Sequence, residues 1–226
     1  MTRTAQPERA PGPQCAGYGR ATGILSAGLA AAGLATFAFF SLSSHVLSAP
    51  AYAHIVVLWS LMFIVISTIY RPVEQLLSRT IAARRATGLA HAHPLRIPAA
   101  LQCGFGALFI VTALALREPI QERLFGGSEA LYWALLAGVT TYGAAYFARG
   151  WLAGYQRFMV FGSLVLFDAC VRVCFPAAVA LGVGGPGTVA LGIAAAPALS
   201  LLVVPAAFGR RIATLGEKPA GALAPA

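Results

Sequence analysis

Charge is what this sequence has least of. Only 10% of its 226 residues are charged, and just seven of those are acidic. A soluble domain carries roughly 25% charged residues, so this chain cannot cover a water-facing surface. That shortage excludes a soluble enzyme, a nucleic-acid-binding domain and a disordered linker. Lysine is nearly absent: 15 of the 16 basic side chains are arginines. Cysteine is scarce and forms no CxxC pair. Cys15, Cys103, Cys170 and Cys174 therefore read as small buried hydrophobes rather than as a disulfide framework or a metal site. No P-loop, Rossmann fingerprint, Ser-His-Asp set or pair of catalytic carboxylates occurs. Neither enzymatic chemistry nor a bound cofactor is expected. His91 and His93, beside Pro94, have no third ligand nearby and read as a solvated loop.

Apolar residues dominate instead, at 58% of the chain, with a mean hydropathy of +0.76. A membrane helix needs about 20 mostly apolar residues. Six runs qualify: residues 21–47, 52–70, 97–116, 130–148, 159–181 and 188–208. Barrel strands would be about 10 residues long with alternating polarity, so the expected class is an all-α integral membrane protein of six spans. The first run has 27 residues, against 7–15 or so for a signal-peptide core. It reads as an uncleaved span, although Ala51-Tyr52-Ala53 resembles a cleavage site.

The basic residues set the orientation. Arg3, Arg9 and Arg20 precede span one; Arg79, Arg84, Arg85 and Arg96 follow span two; Arg149 and Arg157 follow span four; Arg210, Arg211 and Lys218 follow span six. Only Arg117 and Arg123 fall in the opposite loops. The positive-inside rule then puts both termini in the cytoplasm of a cell whose plasma membrane holds the protein. A leader (1–20) and a Pro/Ala-rich tail (211–226), both expected to be disordered, flank a transmembrane domain over 21–210. Tyr52, Tyr132 and Trp133 at one set of ends, and Trp151 and Tyr155 at the other, suit the headgroup level.

Two groups of residues stand out. Asp168 and Arg172 lie about 13–20 Å into span five at 1.5 Å per residue, where an ionised group costs about 2.5–3.5 kcal/mol even on the lenient insertion scale. Their i, i+4 spacing lets them neutralise each other. They read either as a self-satisfied pair pinning helices together or as the lining of a cavity for a polar or anionic substrate. Arg71 and Glu74 flank Pro72 at the end of span two. Arg71 either snorkels to the headgroups or, with a Pro72 kink, forms a gate at a cavity mouth. An amphipathic stretch follows, from Leu76 to Arg85. Gln102 is a lone polar group in span three, and Gly150 and Gly154 form a GxxxG that can bring backbones close.

The segment Arg71-Pro-Val-Glu-Gln-Leu-Leu-Ser-Arg-Thr-Ile-Ala-Ala-Arg-Arg resembles polysaccharide-biosynthesis membrane proteins of the multidrug/oligosaccharidyl-lipid/polysaccharide (MOP, MATE-like) exporter superfamily. The later Arg149-Gly-Trp-Leu-Ala-Gly-Tyr-Gln-Arg-Phe is similar to that family's junction of spans four and five. Family members usually carry two lobes; this chain corresponds to the N-terminal six-helix lobe. The resemblance implies flipping or export of lipid-linked oligosaccharide, the cargo being a polyprenyl-linked sugar on a diphosphate. Arg71 and Arg172 would meet phosphate or sugar oxygens, and Glu74 and Asp168 would hold those arginines or carry a coupling ion. The implied partners are the lipid bilayer and a second lobe, as a homodimer or heteromer, with no nucleic acid. Ala27, Gly28, Ala31 and Ala32 offer a small-residue face for such an approach. The alternative is a non-transporting scaffold subunit or truncated remnant of a polysaccharide-export system.

Overall fold

The computed structural model describes residues 13–87 and 95–202. His91, His93, the tail and the first twelve residues lie outside that range. Among the described residues every regular element is a helix. Six are long: α1 (Pro13–Val46), α2 (Ala49–Ala86), α3 (Arg96–Ala115), α4 (Glu129–Gly154), α5 (Phe158–Ala180) and α6 (Pro186–Ser200). A short turn, Arg117–Pro119, and a π-turn, Ile120–Leu124, link α3 to α4.

Four of these helices are long and apolar enough to cross a membrane: α1 from Leu25, α2, α3 and α5. The chain is thus an all-α protein with the helices of a membrane-embedded one. Two of the six expected spans depart from that description for different reasons. Helix α4 has the length but carries Tyr132, Trp133, Thr140, Thr141, Tyr142, Tyr146 and Arg149. More than half of its residues are buried by neighbouring helices, so protein rather than lipid surrounds it. Helix α6 is apolar but has 15 residues, or about 22 Å at 1.5 Å per residue, short of the roughly 30 Å hydrocarbon core.

The helix bounds also shift. Helix α1 begins at Pro13, so residues 13–20 of the expected leader are helical. Helix α2 runs through Pro72 without a break for 38 residues, about 57 Å. The basic loop expected after span two is therefore largely helix, with Val73, Leu77 and Ile81 buried along one side. Cys103, Cys170 and Cys174 are exposed on helix surfaces, not buried. Tyr132 is fully buried, donating its hydroxyl to the Ala113 carbonyl at 3.0 Å, and so is no headgroup anchor.

Glycines set the closest helix contacts. A Cβ on Gly138 would meet Met62, one on Gly150 the Glu74 backbone, and one on Gly154 Ile81. This rising register makes α2 and α4 parallel neighbours over their whole common length. Helices α1 and α5 pair in the same sense, Gly28 lying against Gly162. The small-residue face of α1 is therefore spent largely on α5 of the same chain, with Ala32 buried as well. Helix α6 wedges between α4 and α5: Gly187 faces Ala130, Thr141 donates to the Ala194 carbonyl at 2.9 Å, and Gly192 abuts Phe175. These registers make each long helix run opposite to its predecessor.

The apolar core fills one half of the bundle, where Ile55, Leu58, Phe125, Leu131, Tyr132, Leu135, Val189 and Ile193 meet. In the other half the α1/α5 pair and the α2/α4 pair stand apart. Helices α1 and α2 share few contacts, prominent among them the edge-on rings of Phe40 and Trp59, 5.6 Å apart.

Gly150→Ala should lower the melting temperature in detergent, because its Cβ would sit 2.8 Å from the Glu74 carbonyl oxygen, a backbone atom that cannot swing away. Overpacking of this kind costs about 1–3 kcal/mol. Gly104→Ala, which meets nothing within 4 Å, should leave stability unchanged or raise it by about 0.5–1 kcal/mol through helix propensity. Equal effects of the two changes would refute the close α2–α4 contact.

Candidate functional site

Between the two helix pairs lies a cavity of about 320 Å³. Its walls come from α1, α2, α4 and α5, and most of them are apolar. Its polar residues are Asp168 and Arg172 from α5, Tyr142, Tyr146 and Arg149 from α4, and Thr36 from α1, with Trp59 of α2 beside them. Asp168 and Arg172 stand 10 and 14 residues beyond the first residue of α5, about 15 and 21 Å along a 34 Å helix. They are near its middle, as the sequence reading placed them.

Their i, i+4 spacing brings them into direct contact. Arg172 donates through Nη2 to Asp168 Oδ2 and to the Tyr142 hydroxyl, the latter at 2.6 Å. Its guanidinium also lies over the Trp59 ring, 4.5 Å from the centroid. The pair is not self-contained, however. Arg149 Nη2 stands 3.8 Å from the same Asp168 oxygen, and its guanidinium packs 4.8 Å from the Tyr146 centroid. One carboxylate thus serves two buried guanidiniums, leaving one surplus positive charge. Asp168 is the only aspartate in the chain.

Arg149 is not the loop cation that the sequence predicts after span four, where the apolar run ends at the first charge. Helix α4 in fact continues to Gly154. Arg149 is 8% exposed and reaches away from the nearby helix end, toward the middle of α5. An arginine at that depth would ordinarily snorkel the other way, so a specific partner holds it. A signal was present: Tyr142, Tyr146 and Arg149 follow i, i+4, i+7, one face of one helix.

Arg149 also joins the two groups of candidate residues. Glu74, half-buried on α2, lies within electrostatic reach of Arg149 on one side and the exposed Arg71 on the other. The order Arg71, Glu74, Arg149, Asp168, Arg172 is therefore a ladder of alternating charge from the surface into the bundle. All four expected site residues belong to it, and Arg149 is the rung that connects them. Gln102 belongs elsewhere, in an apolar groove of about 580 Å³ between α2, α3 and α4, where its Oε1 has no partner. Among the described residues no His/Cys/Asp/Glu group could hold a metal ion.

The chain matches no protein-family model, no curated protein and no solved structure. Its function must be read from the site itself.

Sharing of the carboxylate has a measurable consequence. Asp168→Ala strands two buried guanidiniums, whereas Arg172→Ala leaves Asp168 paired with Arg149. Breaking a buried ion pair costs about 3–5 kcal/mol, so Asp168→Ala should lower the thermal midpoint in detergent well below that of Arg172→Ala. The double variant should recover only part of the loss, because Arg149 is still unpaired. Full recovery in the double variant would mean that Arg149 does not depend on Asp168.

Proposed function

We propose that this chain is one six-helix lobe of a membrane transporter that exports or flips lipid-linked oligosaccharide or polysaccharide precursors, as its resemblance to MOP-type exporters implies. The observation that carries the reading is the cavity, in which two buried arginines share one aspartate inside an otherwise apolar bundle. Ionisable groups inside membrane helices are costly and pair or line a pathway. Arg172 and Arg149 suit charge-assisted hydrogen bonds to phosphate or sugar oxygens. Asp168 and Glu74 hold those arginines in place, and Arg71 stands at the outer end of the ladder.

The alternating directions of α1 to α6 support six spans with both termini on the cytoplasmic side of the plasma membrane. The basic residues Arg79, Arg84, Arg85 and Arg157 gather at one end of the bundle, where Arg85 and Arg157 stack on Tyr155 and Trp151. At the other end Arg117 pairs with the exposed Glu129 at 3.1 Å. The cavity opens between α1 and α2, and α1 and α3 leave Leu34, Phe37, Leu108 and Val111 exposed. A second lobe, from another copy or a homologous partner, would complete the pathway, and rocking of the lobes would give alternating access.

Reconstituted wild-type protein should move a fluorescent lipid-linked sugar across proteoliposome membranes. Arg149→Ala and Arg172→Ala should slow that movement at least tenfold at equal folded protein, by roughly 1.4 kcal/mol or more of barrier. A folded oligomer with no activity would replace the transport reading with that of a non-transporting subunit of an export system. The topology has its own test in a cysteine-free background. Glu122→Cys should react with an impermeant reagent added to whole cells and Arg84→Cys should not; the reverse pattern would invert the orientation.

A further inference from the structure

The charged residues lining the cavity are Arg149, Asp168 and Arg172, each at least nine-tenths buried. Two guanidiniums against one carboxylate leave a single positive charge to balance there, Glu74 standing outside the lining. An uncompensated charge in an apolar bundle is costly, so the cavity favours an anionic ligand. A singly charged phosphodiester meets that demand. A diphosphate brings more negative charge than the cavity can offset.

Size and access narrow the ligand further. About 320 Å³ lies at the low end of small-molecule sites, which run from roughly 300 to 1,000 Å³. It holds a headgroup, not a glycan chain. The cavity reaches the bundle surface between α1 and α2, past the exposed Leu29, Gly33 and Phe63. That opening is apolar and faces sideways, where hydrocarbon chains can remain in the bilayer.

We infer that the cavity binds the headgroup of a membrane lipid bearing one phosphodiester charge, and that the lipid enters sideways between α1 and α2. The inference rests on the transport reading in taking the cavity as a ligand site, and narrows its cargo from a diphosphate carrier to a singly charged one. Arg149 and Arg172 grip the phosphate oxygens, Asp168 holds both guanidiniums in place, and the rings of Trp59 and Tyr146 flank the headgroup.

The test is lipid binding by the full-length chain in detergent, followed by native mass spectrometry. The probes are short-chain phosphatidylglycerol, phosphatidate and phosphatidylcholine, with chain-free glycerophosphoglycerol beside them. Phosphatidylglycerol should bind at least tenfold tighter than either other lipid and than the chain-free headgroup. Arg149→Gln should weaken phosphatidylglycerol tenfold or more in protein that still folds, because Asp168 keeps Arg172 as its partner. Asp168→Asn doubles the surplus charge and should turn the preference toward phosphatidate. Gly33→Phe fills the opening, where a Cβ meets nothing within 4 Å, and should lose the lipid but keep the chain-free headgroup. If Asp168→Asn does not fold, Arg149→Gln and Gly33→Phe still decide the matter. Equal binding of phosphatidylglycerol and phosphatidylcholine, or an indifferent Arg149→Gln, overturns the site. Chain-free headgroup bound as tightly as lipid assigns the site to a soluble anion and overturns the lipid. Unchanged binding in Gly33→Phe overturns sideways entry. Selective binding without flipping would support this site and count against the transport reading alone, whereas flipping of a diphosphate-linked sugar without phosphatidylglycerol selectivity would sink this inference alone.

Discussion

The buried charges of this bundle depend on one carboxylate. Asp168 is the counter-charge to Arg172 on its own helix and to Arg149 on the facing one. In an apolar bundle a bare guanidinium is expensive, and two together repel. The carboxylate fixes both, and the Tyr142 hydroxyl and the rings of Trp59 and Tyr146 share the remaining surface of the two cations. The site thereby couples α2, α4 and α5. It does so near mid-height, where the apolar core ends and the two helix pairs separate.

That separation is a packing result. Helices α2 and α4 approach closely because Gly138, Gly150 and Gly154 leave no side chain between the backbones. Helices α1 and α5 do the same at Gly28 and Gly162. Each pair is tight, and α6 fastens them together in one half only, through Ala190, Ile193 and Ala194. Among the described residues no third helix fills the other half, and a cavity remains. Small residues therefore do two things here: they zip the pairs, and by zipping them they leave room between pairs.

The alternating-charge ladder also relates two segments that lie far apart in the sequence, Arg71–Arg85 and Arg149–Phe158. One supplies Arg71 and Glu74, and the other supplies Arg149. In sequence α3 and most of α4 lie between them, yet the Gly150 contact sets the Glu74 backbone directly against the turn that carries Arg149. The GxxxG in the second segment and the Pro-x-Glu-Gln stretch in the first are two sides of one interface.

The sequence by itself determined the class of the protein and the depth of its key pair. Long apolar runs separated by basic segments require helices, because only a helix satisfies its own backbone away from water. Counting residues along α5 was enough to place Asp168 and Arg172 near its middle, and their spacing was enough to pair them. Arg149 was not legible in that way, because an apolar run ends at a charge whether or not the helix does. Its role was settled by α4 continuing to Gly154 and by the glycine contacts that hold α4 beside α2. The status of α4 was likewise hidden: its tyrosines and threonines lower its hydropathy, and they are tolerated because neighbouring helices rather than lipid enclose it. Periodicity and composition report what each segment can bury. Which charges share a carboxylate, and where a cavity is left, depends on contacts between helices far apart in the chain, and those only tertiary packing decides.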